Sequence, residues 1–164
     1  MSHFRRLLSE KTHSLFLPTE HTEAIKKLVK KSQAGGGDTN RAFFDRQVDF
    51  WGFSIATAVA LDLSPIEESP SKRGTKFIDT KALDLPDHLC DLLAMLVLNH
   101  FGAEHDGLED PKEMVDLGNR LAAAGTPEVI RELMDVDLST TPLDRALDLV
   151  QNLRAKVIEP EVSS

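Results

Sequence analysis

Residues 69–77 read SPSKRGTKF. This segment gathers three cationic side chains around one glycine, and they are Lys72, Arg73 and Lys76. Basic side chains, hydroxyl groups and backbone N–H groups contact nucleic-acid phosphates without reading the base sequence. The segment is not a P-loop, because that motif ends in Gly-Lys-Ser/Thr, whereas the order here is Lys-Arg-Gly-Thr-Lys. Two interpretations therefore stay open, a phosphate-contacting loop and a solvated turn.

Arg41 and Arg46 lie at the start of the most apolar segment of the chain, and we expect them to join the three basic residues in a nucleic-acid contact. Arg46 also follows Asp45 directly and precedes Asp49 by three residues. Such a cluster admits a catalytic carboxyl pair, since general acid–base chemistry needs two carboxyls in different environments. Spacings of three and four are more typical of ion pairs along one helix, and we favour that interpretation.

The segment HFGAEHDGLED, residues 100–110, collects side chains that could ligate a metal. His100 and Glu104 are four residues apart, the spacing at which two ligands share a helix face, and His105 follows. Two glycines interrupt a helix there, and the segment has no HExxH motif. We therefore predict no metal and no cofactor, and keep a metal-assisted hydrolase built on these three side chains as a third hypothesis.

The single cysteine, Cys90, lies in the apolar sequence DHLCDLLAML, where a buried thiol is inert in most proteins. One cysteine cannot form a disulfide within the chain or a cysteine-based zinc site, which suits a reducing compartment. The N-terminus lacks the apolar core of a signal peptide, and the apolar runs around 50–61 and 92–98 are too short to span a bilayer. We therefore expect a cytoplasmic protein without a membrane partner.

Charge is divided unevenly along the 164 residues, whose net charge is -8. Residues 1–82 hold 13 Lys/Arg and 10 Asp/Glu, a net of +3, whereas residues 83–164 hold 6 and 17, a net of -11. This distribution excludes a protein coated all round with basic side chains, but it permits a local basic face on the first half. The acidic half would repel DNA, and we expect it to dock a partner protein.

The apolar spacing and the helix start signals predict an all-α fold, a single compact domain of about five to six helices. The predicted helices begin near Thr19, cover 41–63 and 82–102, and begin again at the three residue–proline pairs 110–111, 126–127 and 141–142. Helices 41–63 and 82–102 are the most apolar, so we expect them to form the central pair.

Three segments are predicted not to be helical. Residues 1–18 and 159–164 are expected to be largely irregular. Residues 64–81 contain two prolines and a glycine, which disfavour a helix. They form either the basic loop alone or a small β-hairpin insertion in which KFIDT (76–80) pairs with residues 64–68.

The order of features in the middle of the chain resembles a known family. Asp49-Phe50-Trp51 leads into the apolar run FSIATAVAL, the basic turn SKRGTK follows, and a leucine-rich helix begins DLPDHLCDLLAML. This order is similar to that of the small accessory proteins that accompany bacterial DNA phosphorothioation (Dnd-type) and related phage-defence gene clusters. The resemblance implies a defence-system accessory protein that acts beside DNA, and it implies no catalytic residue.

Together these features predict a non-enzymatic accessory protein. Its basic loop, with Lys72, Arg73 and Lys76, would meet nucleic acid or a nucleoprotein complex, joined by Arg41 and Arg46. The alternative is a protein–protein adaptor that docks through its acidic half and makes no nucleic-acid contact.

Overall fold

The computed structural model describes residues 12–29, 42–79, 87–101 and 110–134, together with the single positions 6, 8, 10, 148, 150 and 151. Most of the described residues are helical, and two short strands form one antiparallel sheet. In chain order the elements are β1 (Ser14–Pro18), a 3-10 turn (Thr19–His21), α1 (Thr22–Leu28), α2 (Gln47–Ala60), α3 (Pro70–Arg73), β2 (Gly74–Asp79), α4 (Asp87–Phe101) and α5 (Pro111–Met134).

The small sheet is confirmed, but its pairing differs from the predicted hairpin. β2 pairs with β1 and not with residues 64–68. The prediction that residues 1–18 are irregular is wrong over Ser14–Pro18, because this segment alternates buried and half-buried side chains as a strand does. Leu15 and Leu17 point into the core, and β2 covers one edge of this short strand.

A β-bulge adapts β2 to the core. The register shifts between Leu15 and Phe16, so that Leu15 opposes Ile78 whereas Phe16 opposes Lys76, and Phe77 is the extra residue. An extra residue bends the strand and changes the alternation of its side chains. Phe77 and Ile78 accordingly both pack against the core, while Lys76 stays exposed.

The helix that packs most extensively on α2 is α5, so the prediction that 41–63 and 82–102 form the central pair is not confirmed. Small residues allow the close contact. A Cβ atom on Gly125 would overlap the backbone oxygen of Ser54, and Thr126 Oγ1 lies 3.4 Å from Ser54 Oγ. α4 packs on α5 and leaves Met95 and Leu98 exposed, so it lies at the side of the core.

α5 runs without a break through Gly125, Thr126 and Pro127, which contradicts the predicted helix start at Thr126-Pro127. Thr126 Oγ1 donates a hydrogen bond to the carbonyl oxygen of Ala122, four residues earlier, at 2.7 Å. Proline removes one helical hydrogen bond and disfavours the helix interior. The contact of this turn with α2 offsets that cost, because it buries Gly125 and Thr126 against Ser54.

Two predicted helix boundaries show how local signals operate. Asp110 Oδ1 accepts a hydrogen bond from Lys112 N at 2.9 Å, which confirms the predicted cap of α5.

α2 covers 47–60 instead of 41–63. Its C-terminus closes with Asp62 at a φ of 53° and a hydrogen bond of 2.9 Å from Leu63 N to Ala58 O, a Schellman arrangement. The predicted start at 141–142 lies outside the described residues.

The start of α2 is shortened by a contact with α1. The backbone N–H groups of Phe43 and Phe44 both donate to Leu28 O, at 2.9 and 3.0 Å. Carbonyl groups at a helix C-terminus lack partners within the helix, so this pair of bonds satisfies one of them. The residues before Gln47 were predicted to be helical, but part of this segment instead forms backbone hydrogen bonds with the end of α1.

Candidate nucleic-acid interface

The three central basic residues lie on one continuous unit, which we call the basic turn, residues 69–76. Lys72 and Arg73 end α3, and Lys76 lies on β2 after Gly74. The Lys72 N–H donates to Ser69 O at 2.9 Å, which closes the helical turn. Pairing of β2 with β1 fixes the strand, so the basic turn has an ordered base.

The charges of the basic turn differ in how far they are neutralised. Lys72 is exposed, and among the described residues no carboxylate pairs with its ammonium group. Arg73 Nε forms an ion pair with Glu68 Oε2. Lys76 is exposed on β2. Glu68 therefore competes with any phosphate for Arg73, whereas Lys72 carries its charge uncompensated within this part of the chain.

Arg46 is held in an ion pair along the chain, as the favoured interpretation predicts. Its Nε and Nη2 atoms donate to the two carboxylate oxygens of Asp49, at 3.1 and 2.8 Å. The hydrogen bond and charge of Asp49 raise the pKa of the Arg46 guanidinium. Gln47, which follows it, lines a small depression together with Thr75 of β2. Arg41 falls outside the described residues.

A cleft adjoins the basic turn, between the two strands, the loop before α3, and α5. Arg73 and Gly74 line one side, and Arg120 of α5 lines another. The loop is attached to α5 by two reciprocal hydrogen bonds: Arg120 Nε donates to Ile66 O at 2.5 Å, and Ile66 N donates to Arg120 O at 3.4 Å. Arg120 is therefore a second arginine beside the basic turn, and the sequence did not predict its presence there.

Asn119, which also lines the cleft, was missed as well. Its Oδ1 accepts hydrogen bonds from Phe16 N at 2.9 Å and Trp51 Nε1 at 3.1 Å, and its Nδ2 donates to Ser14 O at 3.1 Å. The side-chain amide thus forms the hydrogen bonds to the backbone of β1 that a neighbouring strand would otherwise form. A mid-helix asparagine among apolar residues was the only sequence signal for this role, since asparagine is a poor helix former.

The other chemical hypotheses gain no support from the described residues. Cys90 is fully buried in α4. His100 is exposed at the end of the same helix, while Glu104 and His105 lie outside the described part of the chain. Where side chains are described, no group of three or more His, Cys, Asp or Glu residues is arranged to hold a metal ion.

Comparison with protein-family models, with curated proteins and with solved structures gives no match. Among the helices that the structure describes, none is both long and apolar enough to cross a bilayer.

Proposed function

We propose that the chain is a non-enzymatic accessory protein of a DNA-modification or phage-defence system, and that it contacts nucleic-acid phosphates through the basic turn. One observation carries the proposal: three cationic side chains lie on a single ordered turn and strand, and the ammonium group of Lys72 has no ion pair among the described residues. The resemblance of the middle of the chain to phosphorothioation accessory proteins supports the choice of DNA.

The expected contact is weak and independent of base sequence. Lysine and arginine that neutralise phosphates release bound counterions, so the affinity falls with salt in proportion to the number of phosphates contacted. Three cations permit contact with two or three phosphates. We therefore expect a slope of log affinity against log salt of about -2 to -3, and a Kd on the order of 10⁻⁴ to 10⁻⁶ M.

The first prediction concerns the triple variant Lys72→Ala/Arg73→Ala/Lys76→Ala. It should bind a DNA oligonucleotide at least about tenfold more weakly at low salt, and its salt slope should become flatter, because the phosphate contacts of the basic turn are removed. Fluorescence anisotropy titrations over about 20 to 200 mM salt measure both quantities.

Glu68→Gln is the matched control, because it changes one charge at the same site in the opposite direction. It releases Arg73 from its ion pair and should strengthen binding roughly two- to fivefold, since exposed ion pairs contribute at most about 1 kcal/mol. Equal affinities and slopes for the wild type and the triple variant would refute the proposed contact.

A protein–protein adaptor is the second candidate function, and exposed apolar side chains favour it. Met95 and Leu98 of α4 are 66% and 38% exposed, three residues apart on one helix face. The acidic half of the sequence, with 6 Lys/Arg and 17 Asp/Glu, would suit a basic partner. A partner that copurifies after nuclease treatment, and with the triple variant as well, would favour this function over nucleic-acid binding.

A further inference from the structure

The cleft beside the basic turn combines an apolar lining with two arginines. Phe16, Leu17 and Ile66 provide apolar surface, and Arg73 and Arg120 provide the cationic groups. Glu20 and Glu68 also line it. Because apolar walls limit access of water, charged contacts inside such a cleft are stronger than on an open surface.

Both guanidinium groups keep hydrogen-bonding capacity. Among the described residues, Arg120 uses only Nε in a side-chain hydrogen bond, to Ile66 O, and Arg73 uses only Nε, in its pair with Glu68. Each therefore retains two terminal nitrogens with their N–H groups. A planar guanidinium matches the spacing of two phosphate oxygens better than an ammonium group does.

The cleft is small and partly open to solvent. Its volume is about 30 Å³, which corresponds to roughly two water molecules. The terminal oxygens of a phosphate can enter such a space while the rest of the strand stays outside. A phosphate monoester carries a charge of about -1.5 to -2 and three acceptor oxygens, which suit two arginines better than the single charge of an internal phosphodiester.

We propose that this cleft binds a phosphate monoester, and that its source is the terminal phosphate of a nucleic-acid strand whose next phosphates lie along Lys72 and Lys76. The proposal rests on the proposed function, since Arg73 belongs to both the basic turn and the cleft. On binding, the monoester displaces Glu68 from Arg73. The protein thereby prefers strand ends to continuous nucleic acid.

The test compares oligonucleotides of one sequence that carry a 5′-hydroxyl, a 5′-phosphate or a 3′-phosphate, with the fluorophore on the opposite end. We expect at least one terminal phosphate to strengthen binding about tenfold. Arg120→Gln should abolish that gain, so that strands with and without a terminal phosphate bind this variant equally, through the contacts of the internal phosphates with Lys72 and Lys76. Arg131→Gln is the control, since it removes one arginine from the same helix at an exposed site outside the cleft.

Ala123→Leu provides a second variant that leaves all charges in place and fills the cleft from α5. It should remove the terminal-phosphate gain as Arg120→Gln does, with far-UV circular dichroism confirming the fold of each variant. A competition experiment distinguishes free phosphate from a strand end as the preferred ligand. Inorganic phosphate, with chloride at equal ionic strength as its control, should displace the labelled strand less effectively than an unlabelled phosphorylated strand does.

The outcomes separate this inference from the proposed function. If all three strands bind equally and Arg120→Gln behaves as Arg131→Gln, the terminal-phosphate site is overturned while phosphate contact by the basic turn stands. If inorganic phosphate competes as well as the phosphorylated strand, the assignment to strand ends is overturned. If no strand binds, the proposed function itself fails.

Discussion

Replacing Gly125 with alanine should lower the free energy of unfolding by about 3 kcal/mol or more. A Cβ atom at this position would overlap the backbone oxygen of Ser54 and lie 3.1 Å from the backbone nitrogen of Ala58. Backbone atoms cannot rotate away as a side chain can, so α2 and α5 would have to separate. Alanine gains only about 1 kcal/mol in helix propensity over glycine, too little to offset the lost packing. Urea unfolding followed by circular dichroism measures the difference.

Gly52→Ala is the matched control, because it makes the same chemical change in the partner helix. There the added Cβ atom would lie 2.5 Å from Leu89 Cδ2, at the end of a flexible side chain that can move. The gain in helix propensity partly offsets the adjustment, so we expect a change within about 1 kcal/mol. Equal stability of the two variants would contradict the close crossing of α2 and α5 at Gly125.

The second large effect is expected at Asn119, where alanine should destabilise the protein by about 3 kcal/mol. The substitution leaves three groups in or near the core without their partner: the N–H of Phe16, the carbonyl of Ser14 and the indole N–H of Trp51. Each unsatisfied buried group costs about 1 to 3 kcal/mol. The total for the three groups is reduced because the structure relaxes and lets water reach some of them. The helix propensity of alanine also offsets less than about 1 kcal/mol.

Hydrogen exchange gives this prediction a local readout. Trp51 is the only tryptophan, so its indole N–H signal is unambiguous, and it should exchange faster in Asn119→Ala together with the Phe16 amide. Asn99→Ala, at an exposed position of α4, should change the free energy of unfolding by less than about 0.5 kcal/mol. If the two asparagine variants are equally stable, then the amide of Asn119 does not anchor β1.

The candidate site was only partly predictable. Lys72, Arg73 and Lys76 are neighbours in sequence, and any ordered turn would keep them together. The sequence does not indicate that Arg73 pairs with Glu68, because rotamers and loop geometry decide that contact. Nor does it indicate that Arg120 borders the basic turn, because Arg120 lies 47 positions after Arg73. The cleft therefore exists only once α5 packs against the sheet and the loop.

The errors in the fold prediction have a common cause. Proline after a capping residue predicts a helix start at both Asp110-Pro111 and Thr126-Pro127, but only the first is one. At Thr126 the same local signal is overridden by close packing against Ser54, which a single glycine permits. Likewise, the prediction that α4 packs on α2 used only the apolar character of both helices. The small residues at the contact instead allow α5 to pack closely on α2.

Local sequence was enough to predict the helical character, the start of α5 at Asp110 and the clustering of three cations, and it offered the strand near residue 76 as one of two alternatives. These features depend on groups within a few residues of one another, and their signals are therefore readable locally. Packing between distant segments determines which strand pairs with β2, whether α5 continues through Pro127, and which arginine joins the basic turn. The hydrogen bond from Phe16 N to Asn119 Oδ1 joins residues 103 positions apart. Such contacts follow from the complementary shapes of packed elements, which no local pattern encodes.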